Sequence, residues 1–525
     1  MHAVHLLHEA CRCSGTQEAP GKPLTLEVGT SCRAAFQFEM PIASADIMSR
    51  RKQEVSLSDS TPAEARAQDW AMAPIPRPLP NSGSLQVVTM TQQRLDSLDL
   101  TNDVRIANEG YPWEAWDLLR REAPILWYEP AQDIEPFWSV ARHADILTIS
   151  KRPDVFVSSQ RLRLTPRPME QRMRAFRQAR EAEWGPANGA PMSFNDMDAP
   201  HHLRYRNLTS KRFTPRAMAA FEATLERLAK RHVQHFVKRL RETRSEEDGL
   251  DLVQELAVKV PTAAIFEMLG VPDSQHDELF SLWETNVRQS AEEQQRRAQS
   301  EVAEVFFHPD GAGQRYLAHM IDAARERGES ADDLMGVLLG ARIEGEPLPE
   351  IALVAYVTML IAAGLDTTRH ATTGGVHALL THPTELARLT ADPTLLESAI
   401  EEILRFTSPV IHFMRTATQD FEIGDQKIRA GESVALWYPS ANRDETVFDR
   451  AYEFDITRQP NPHLAFGGYG SHFCIGAHLA RAQLRAVFRE LLDVLPELEI
   501  AGDLVRMRNL HVGGYTALPV RQRAA

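Results

Sequence analysis

The run Phe466-Gly-Gly-Tyr-Gly-Ser-His-Phe-Cys474-Ile-Gly476 constrains this chain more than any other segment. It is rich in glycine, ends in a solitary cysteine, and passes straight into the periodic stretch from Ile475 to Leu492, which predicts a helix. A thiolate at a helix N-terminus is stabilised by the helix dipole and by unpaired backbone N–H groups. The same hydrogen bonds tune how strongly sulfur donates to a metal. Glycines let the backbone approach a flat ligand where side chains would clash. Gly476 and Ala480, on the early turns of the predicted helix, are small enough to lie under a ring. A single thiolate suits haem iron better than structural zinc, which takes four protein ligands. Taken alone, the loop also fits a buried, inert cysteine in a glycine-rich turn.

The other cysteines, Cys11, Cys13 and Cys32, lie far upstream. Cys11 and Cys13 with His2, His5 and His8 match no standard zinc spacing. Residues 1–89 mix short apolar pieces with Pro, Ser and Gln, including the run from Pro74 to Pro80, and predict a disordered N-terminal extension. Met90 is the expected biological start, and residues 90–525 are expected to form a single domain without repeats. A net charge of −14 excludes a duplex nucleic-acid binder, which needs a basic face. No secretory signal is apparent. The longest apolar run, Ile351 to Leu365, is shorter than the ~20 residues of a membrane span and reads as a buried helix, so no stable membrane anchor and a cytoplasmic location are expected.

Helical periodicity marks Tyr111–Arg121, Met218–Arg244, Leu252–Leu269, Ile351–Leu380 and Leu395–Phe406. Phe137–Val140 and Ser433–Trp437 read as strands, and Phe421–Ile428 as a hairpin around Gly424-Asp425. The expected class is mainly α with small β-sheets.

Two further motifs carry chemistry. Ala363-Gly364-Leu365-Asp366-Thr367-Thr368 interrupts the apolar helix, and threonine hydroxyls that bond back to carbonyls favour a local opening there. Such an opening would hold water and dioxygen, with Asp366 relaying protons and Thr367 positioning oxygen. An ordinary helix with a solvated Asp366 is the alternative. Glu402 and Arg405, three residues apart, share one helix face. Exposed, such a pair is worth little; buried, it needs further partners, with Arg443 the candidate.

In this order, the acid–alcohol helix, the Glu402/Arg405 pair, Arg443 and the Phe466–Gly476 loop resemble the cytochrome P-450 superfamily, from about Tyr111 to Val520. The resemblance implies that family's fold, with haem b between the acid–alcohol helix and the cysteine-loop helix. It implies Cys474 as iron ligand, and Ala363, Gly364, Phe466, Gly476 and Ala480 against the haem. His202 and Arg206 in Asp198-Ala-Pro-His-His-Leu-Arg-Tyr-Arg206, together with Arg415 and His472, are implied partners of the propionates, two carboxylates that call for cationic donors. For each histidine a structural role is the alternative. The implied activity is monooxygenation by O2, with electrons from a ferredoxin and its reductase. Arg481 and Arg485 fit either a basic docking patch or solvated helix charge. Asp366–Thr367 favours dioxygen over a peroxide-driven fatty-acid hydroxylase.

The loop has one residue more between Phe466 and Cys474 than the superfamily's commonest pattern. That form resembles members oxidising terminal methyl groups of sterol side chains and methyl-branched lipids. The stretch from Phe413 to Arg443 resembles members acting on monoterpene alcohols. The expected substrate is lipophilic, a steroid side chain ahead of a terpenoid. Met359, Leu360 and Val410 to His412 are expected to line its pocket, with His412 either bonding substrate or capping a strand, and Ser158–Phe194 setting its shape. An intact-mass spectrum of natively expressed protein is expected to start at Met90; a mass that includes residue 1 contradicts this.

Overall fold

The computed structural model describes residues 94–184, 193–243, 249–276, 312–328 and 332–523. The expectations for residues 1–89, including the upstream cysteines and Met90, lie outside the described residues.

The helix Glu350–Thr381 is the axis of the structure. At about 1.5 Å per residue its 32 residues span roughly 48 Å. It meets the requirements of length and apolarity for a membrane span, but Leu353, Val357, Leu360, Ile361 and Leu365 are buried in the main core. It packs against Lys259–Met268, the ion-pair helix Leu396–Thr407 and the cysteine helix Ala477–Leu491. The cysteine helix also lies along Pro215–Glu242.

The sheet runs along one side of this helical body. Strands β2 (Phe137–Val140), the hairpin strands β5 (Phe421–Ile423) and β6 (Gln426–Ile428), and β7 (Ser433–Trp437) are placed as the alternation predicts, while β1 (Ile125–Tyr128), β3 (Phe156–Val157) and β4 (His412–Ala417) join them without having been predicted. The order is β1-β2-β7-β4-β3, antiparallel except for β2 against β7, where Val434 faces Trp138. In the β5–β6 hairpin Gly424 supplies a φ of +55°.

The stretch predicted as one helix over 252–269 is broken. A π-helical turn, Val253–Ala257, precedes the α-helix Lys259–Met268. Pro261 has no N–H to donate to the preceding turn, and Val258 N–H instead reaches back to Val253 O at 3.1 Å.

Glu402 and Arg405 are wholly buried. The carboxylate takes Arg405 Nε at 2.8 Å and Nη2 at 2.7 Å, Asp455 N–H at 3.0 Å and Asn461 Nδ2 at 3.1 Å. The further cation is Arg458, whose Nε lies 3.2 Å away, and not the expected Arg443. Arg443 instead donates to the carbonyls of Arg405 and Phe406, in the last turn of the ion-pair helix. Arg405 gathers the carbonyls of Asn442, Ala451 and Glu453. Asn442 then accepts Leu464 N–H at 2.7 Å, two residues before Phe466. The ion-pair helix thereby sets where the cysteine loop begins.

Arg458→Met leaves the Glu402 charge short of one partner in the interior. The expected loss is about 3 kcal/mol or more in urea unfolding. Arg481→Gln, which breaks a half-exposed pair with Glu401, is expected to cost less than about 1 kcal/mol.

Candidate active site

Cys474 lies three residues before the cysteine helix, held by its N–H on Phe466 O at 3.0 Å. Its sulfur is deep in the protein yet open to a cavity. Burial pushes the thiol up, while Gly476 N–H, Arg206 and Arg481 oppose the shift. The backbone N–H at the helix start thus acts in the expected direction, against the burial of the sulfur.

The loop glycines line the cavity, and two of them meet a second requirement. A Cβ on Gly468 would lie 2.2 Å from Ser150 Oγ, and one on Gly470 would lie 1.9 Å from Ser150 O. Their smallness lets the loop press onto the helix His143–Ser150. Gly467 and Gly476 are left open on the cavity side, and Ala480 and Phe466 line the same wall.

Facing them is the middle of the central helix. Ala363, Gly364, Thr367 and Thr368 line the cavity. The helix continues unbroken there, so the expected opening is absent: Thr367 Oγ1 donates to Ala363 O at 2.7 Å without displacing the helical bonds. Asp366 is buried and is not solvated. It pairs with Arg369 Nη2 at 3.0 Å. Burial raises its pKa, opposed by Arg369.

At one edge of the cavity four basic side chains converge. The rings of His202 and His472 stack with centroids 4.0 Å apart, and Ser158 Oγ lies 3.2 Å from His472 Nε2. Arg206 Nη2 donates to Phe473 O at 2.5 Å, beside the cysteine. Arg415 is buried and donates to Met414 O at 2.6 Å. Among the described residues no carboxylate pairs with either arginine, and His202 Nε2 is buried without a hydrogen-bond partner. Burial, then Arg206, lower His202 to about 4, with Arg415 adding to the shift and Asp198 opposing it. Burial and Arg415 hold His472 well below its usual range. Buried cationic donors without an acid fit the two propionates of a haem, and the thiol on the adjoining wall fits its iron.

The remaining wall is apolar. Met359, Leu360 and Val410 line it as expected, but Ile411 and His412 do not. His412 is fully buried, accepting Leu164 N–H at Nε2 and facing Leu510 O through Nδ1 at 3.0 Å, so it ties β4 to two loops. Phe413 takes its place, and Leu162, Phe194, Phe213 and Ile265 complete the wall. Gln483, buried with both amide atoms unpaired, also reaches the cavity. Its one sequence signal was a polar residue on the apolar face of the cysteine helix. Arg481 and Arg485 each form a two-pronged pair, with Glu401 and Glu397. Both charges are thus balanced locally, which favours helix charge over a free basic patch.

A family model described as Cytochrome P450 matches residues 175–495. A methyl-branched lipid omega-hydroxylase of Mycobacterium bovis is 34% identical, over 82% of this chain and 95% of its own length. A steroid C26-monooxygenase of Mycolicibacterium smegmatis is 32% identical, over 80% of this chain and 91% of its own. The solved structure of a Mycobacterium marinum cytochrome P450 in complex with pseudoionone is similar at 32% identity and a TM-score of 0.66, covering 81% of this chain and 98% of its own.

Replacing Arg415 by Met is expected to speed transfer of haem to an excess of apo-globin at least about tenfold, since a hydrogen bond to a charged group contributes roughly 1.5–3 kcal/mol. An unchanged transfer rate would count against the cationic edge as the propionate seat.

Proposed function

The chain belongs to the cytochrome P450 family, and we propose that it hydroxylates a terminal methyl group of a steroid side chain or of a terpenoid. Members are monooxygenases that use haem b and take O2 and electrons from redox partners. The observation that carries the substrate reading is the apolar wall, built by Met359, Leu360, Val410, Phe413, Phe194 and Ile265, opposite Cys474. It offers a branched hydrocarbon body a dry seat. The named activities of the relatives, on methyl-branched lipid and at steroid C26, support the same choice of bond. The redox partners in this reading are a ferredoxin and its reductase. With its most apolar helix serving as core, the protein is read as cytoplasmic.

Haem, when bound, supplies the activation and transfer of oxygen. Cys474 is the side chain assigned to its iron, with Gly476 N–H and Arg206 tempering the charge on sulfur. His202, Arg206, Arg415 and His472 would hold the propionates. Asp366 delivers protons: burial lets it keep a proton to higher pH than a free carboxyl does, and it must leave Arg369 to reach the cavity. Thr367 presents its hydroxyl there from Ala363 O. The aromatic and aliphatic wall keeps bulk water from the reacting bond.

Titrating the haem-loaded protein with cholest-4-en-3-one, α-terpineol and lauric acid tests the substrate. The sterol or the terpenoid is expected to shift the Soret band to shorter wavelength and to yield a methyl-hydroxylated product by mass spectrometry. A response to lauric acid alone contradicts the reading. Asp366→Asn is expected to slow turnover by about 10²-fold, in the range of a lost general acid. Thr367→Ala is expected to keep consuming reductant while forming several-fold less product per electron pair.

A further inference from the structure

A second cavity shares no lining residue with the first. Its walls are Tyr111, Trp113, Phe406, Tyr452 and Tyr515, with Arg443 and Arg506 among them. The Arg443 guanidinium is 2% exposed. It lies 4.4 Å from the Phe406 ring centroid, 5.0 Å from Trp113 and 5.8 Å from Tyr452.

What sets Arg443 apart is the lack of an acid. The buried Arg120, Arg369, Arg405 and Arg458 each pair with a carboxylate. Arg161, Arg415 and Arg443 do not, among the described residues. Arg161 lines neither cavity, whereas Arg415 lines the first and Arg443 the second. Arg443 gives its Nη atoms to two backbone carbonyls and leaves Nε without a partner. Burial, with Arg405 adding to it, pulls its pKa down to about 9. An unpaired cation held in the interior is a standing cost that a bound anion relieves.

One further cation lines the cavity, and its histidines are held neutral. Arg506 lies 5.8 Å from the Tyr515 ring centroid and also has no carboxylate partner among the described residues. His370 and His377 are held below their usual range, first by burial. Glu109 is the one acid on the wall, and it is taken by Arg105 at 2.9 Å. Aromatic faces around guanidinium groups select a ligand with a flat apolar body and a negative end.

We propose that this second cavity is a binding site for a small aromatic carboxylate, seated on the Trp113–Phe406–Tyr452 wall with its charge toward Arg443 and Arg506. It is separate from the oxygenation site.

The test uses the haem-loaded full chain with a bulky azole filling the first cavity, and 2-naphthoate as the probe in titration calorimetry. One saturable site is expected, without any change in the Soret band. The neutral 2-naphthamide is expected to bind at least about tenfold more weakly, as the loss of a charge-assisted contact implies. Arg506→Gln, at the more open side, is expected to weaken naphthoate several-fold in a protein of unchanged melting temperature; Arg443→Gln should abolish binding if the variant folds. The proposal is overturned by no saturation below millimolar naphthoate, by equal binding of the amide, by displacement with the azole, or by undiminished affinity in Arg506→Gln. None of these outcomes bears on the oxygenation reading, which rests on Cys474 and the first cavity.

Discussion

The position of Cys474 depends on one buried carboxylate. Glu402 takes Arg405, Arg458, Asn461 and a backbone N–H at once, and Arg405 spends its remaining donors on three carbonyls of the segment 442–453. Charges buried so completely contribute little net stability compared with an apolar substitute. What they fix is geometry: a hydrophobic contact tolerates sliding, whereas this set of bonds has one arrangement. Asn442 hands that arrangement to Leu464, and the loop to Cys474 follows.

The same economy governs the cavity. Its apolar wall comes from the central helix and from separate segments around Leu162, Phe194, Phe213 and Ile265, while its charge is confined to one edge. On that edge two guanidinium groups and two stacked imidazoles lie close together, and among the described residues no carboxylate pairs with either arginine. Mutual repulsion and burial act in the same direction there, as the lowered His202 and His472 show. A dianionic end of a ligand removes both penalties together, which makes the edge a directional seat and not merely a polar one. Asp366 is poised by the opposite balance: burial favours its neutral form and Arg369 its charged form.

Much of this was legible in the chain. The strands Phe137–Val140 and Ser433–Trp437 and the central helix follow from periodicity, because each buries one face or all of its surface. Local motifs likewise placed Thr367 and Cys474 at a common cavity. What escaped were choices made over long range. Arg458 rather than Arg443 completes the Glu402 network, and nothing in the spacing of two arginines on separate loops distinguishes them. In sequence His412 reads with Val410 and Ile411 as lining the pocket or else capping a strand, and strand alternation turns it away from the cavity, toward Leu164 and Leu510. The glycines of the cysteine loop were read against a flat ligand, whereas two of them are required by Ser150, more than three hundred residues upstream.

Cys474 is the proposed iron ligand at this cavity. The most direct measurement is the absorption difference between reduced protein with and without carbon monoxide, recorded for the native chain and for Cys474→Ala. A strongly red-shifted Soret band is expected in the native protein and its loss in the variant, with the haem still retained by the cationic edge. A native protein that binds no haem, or a band unchanged in Cys474→Ala, would contradict it.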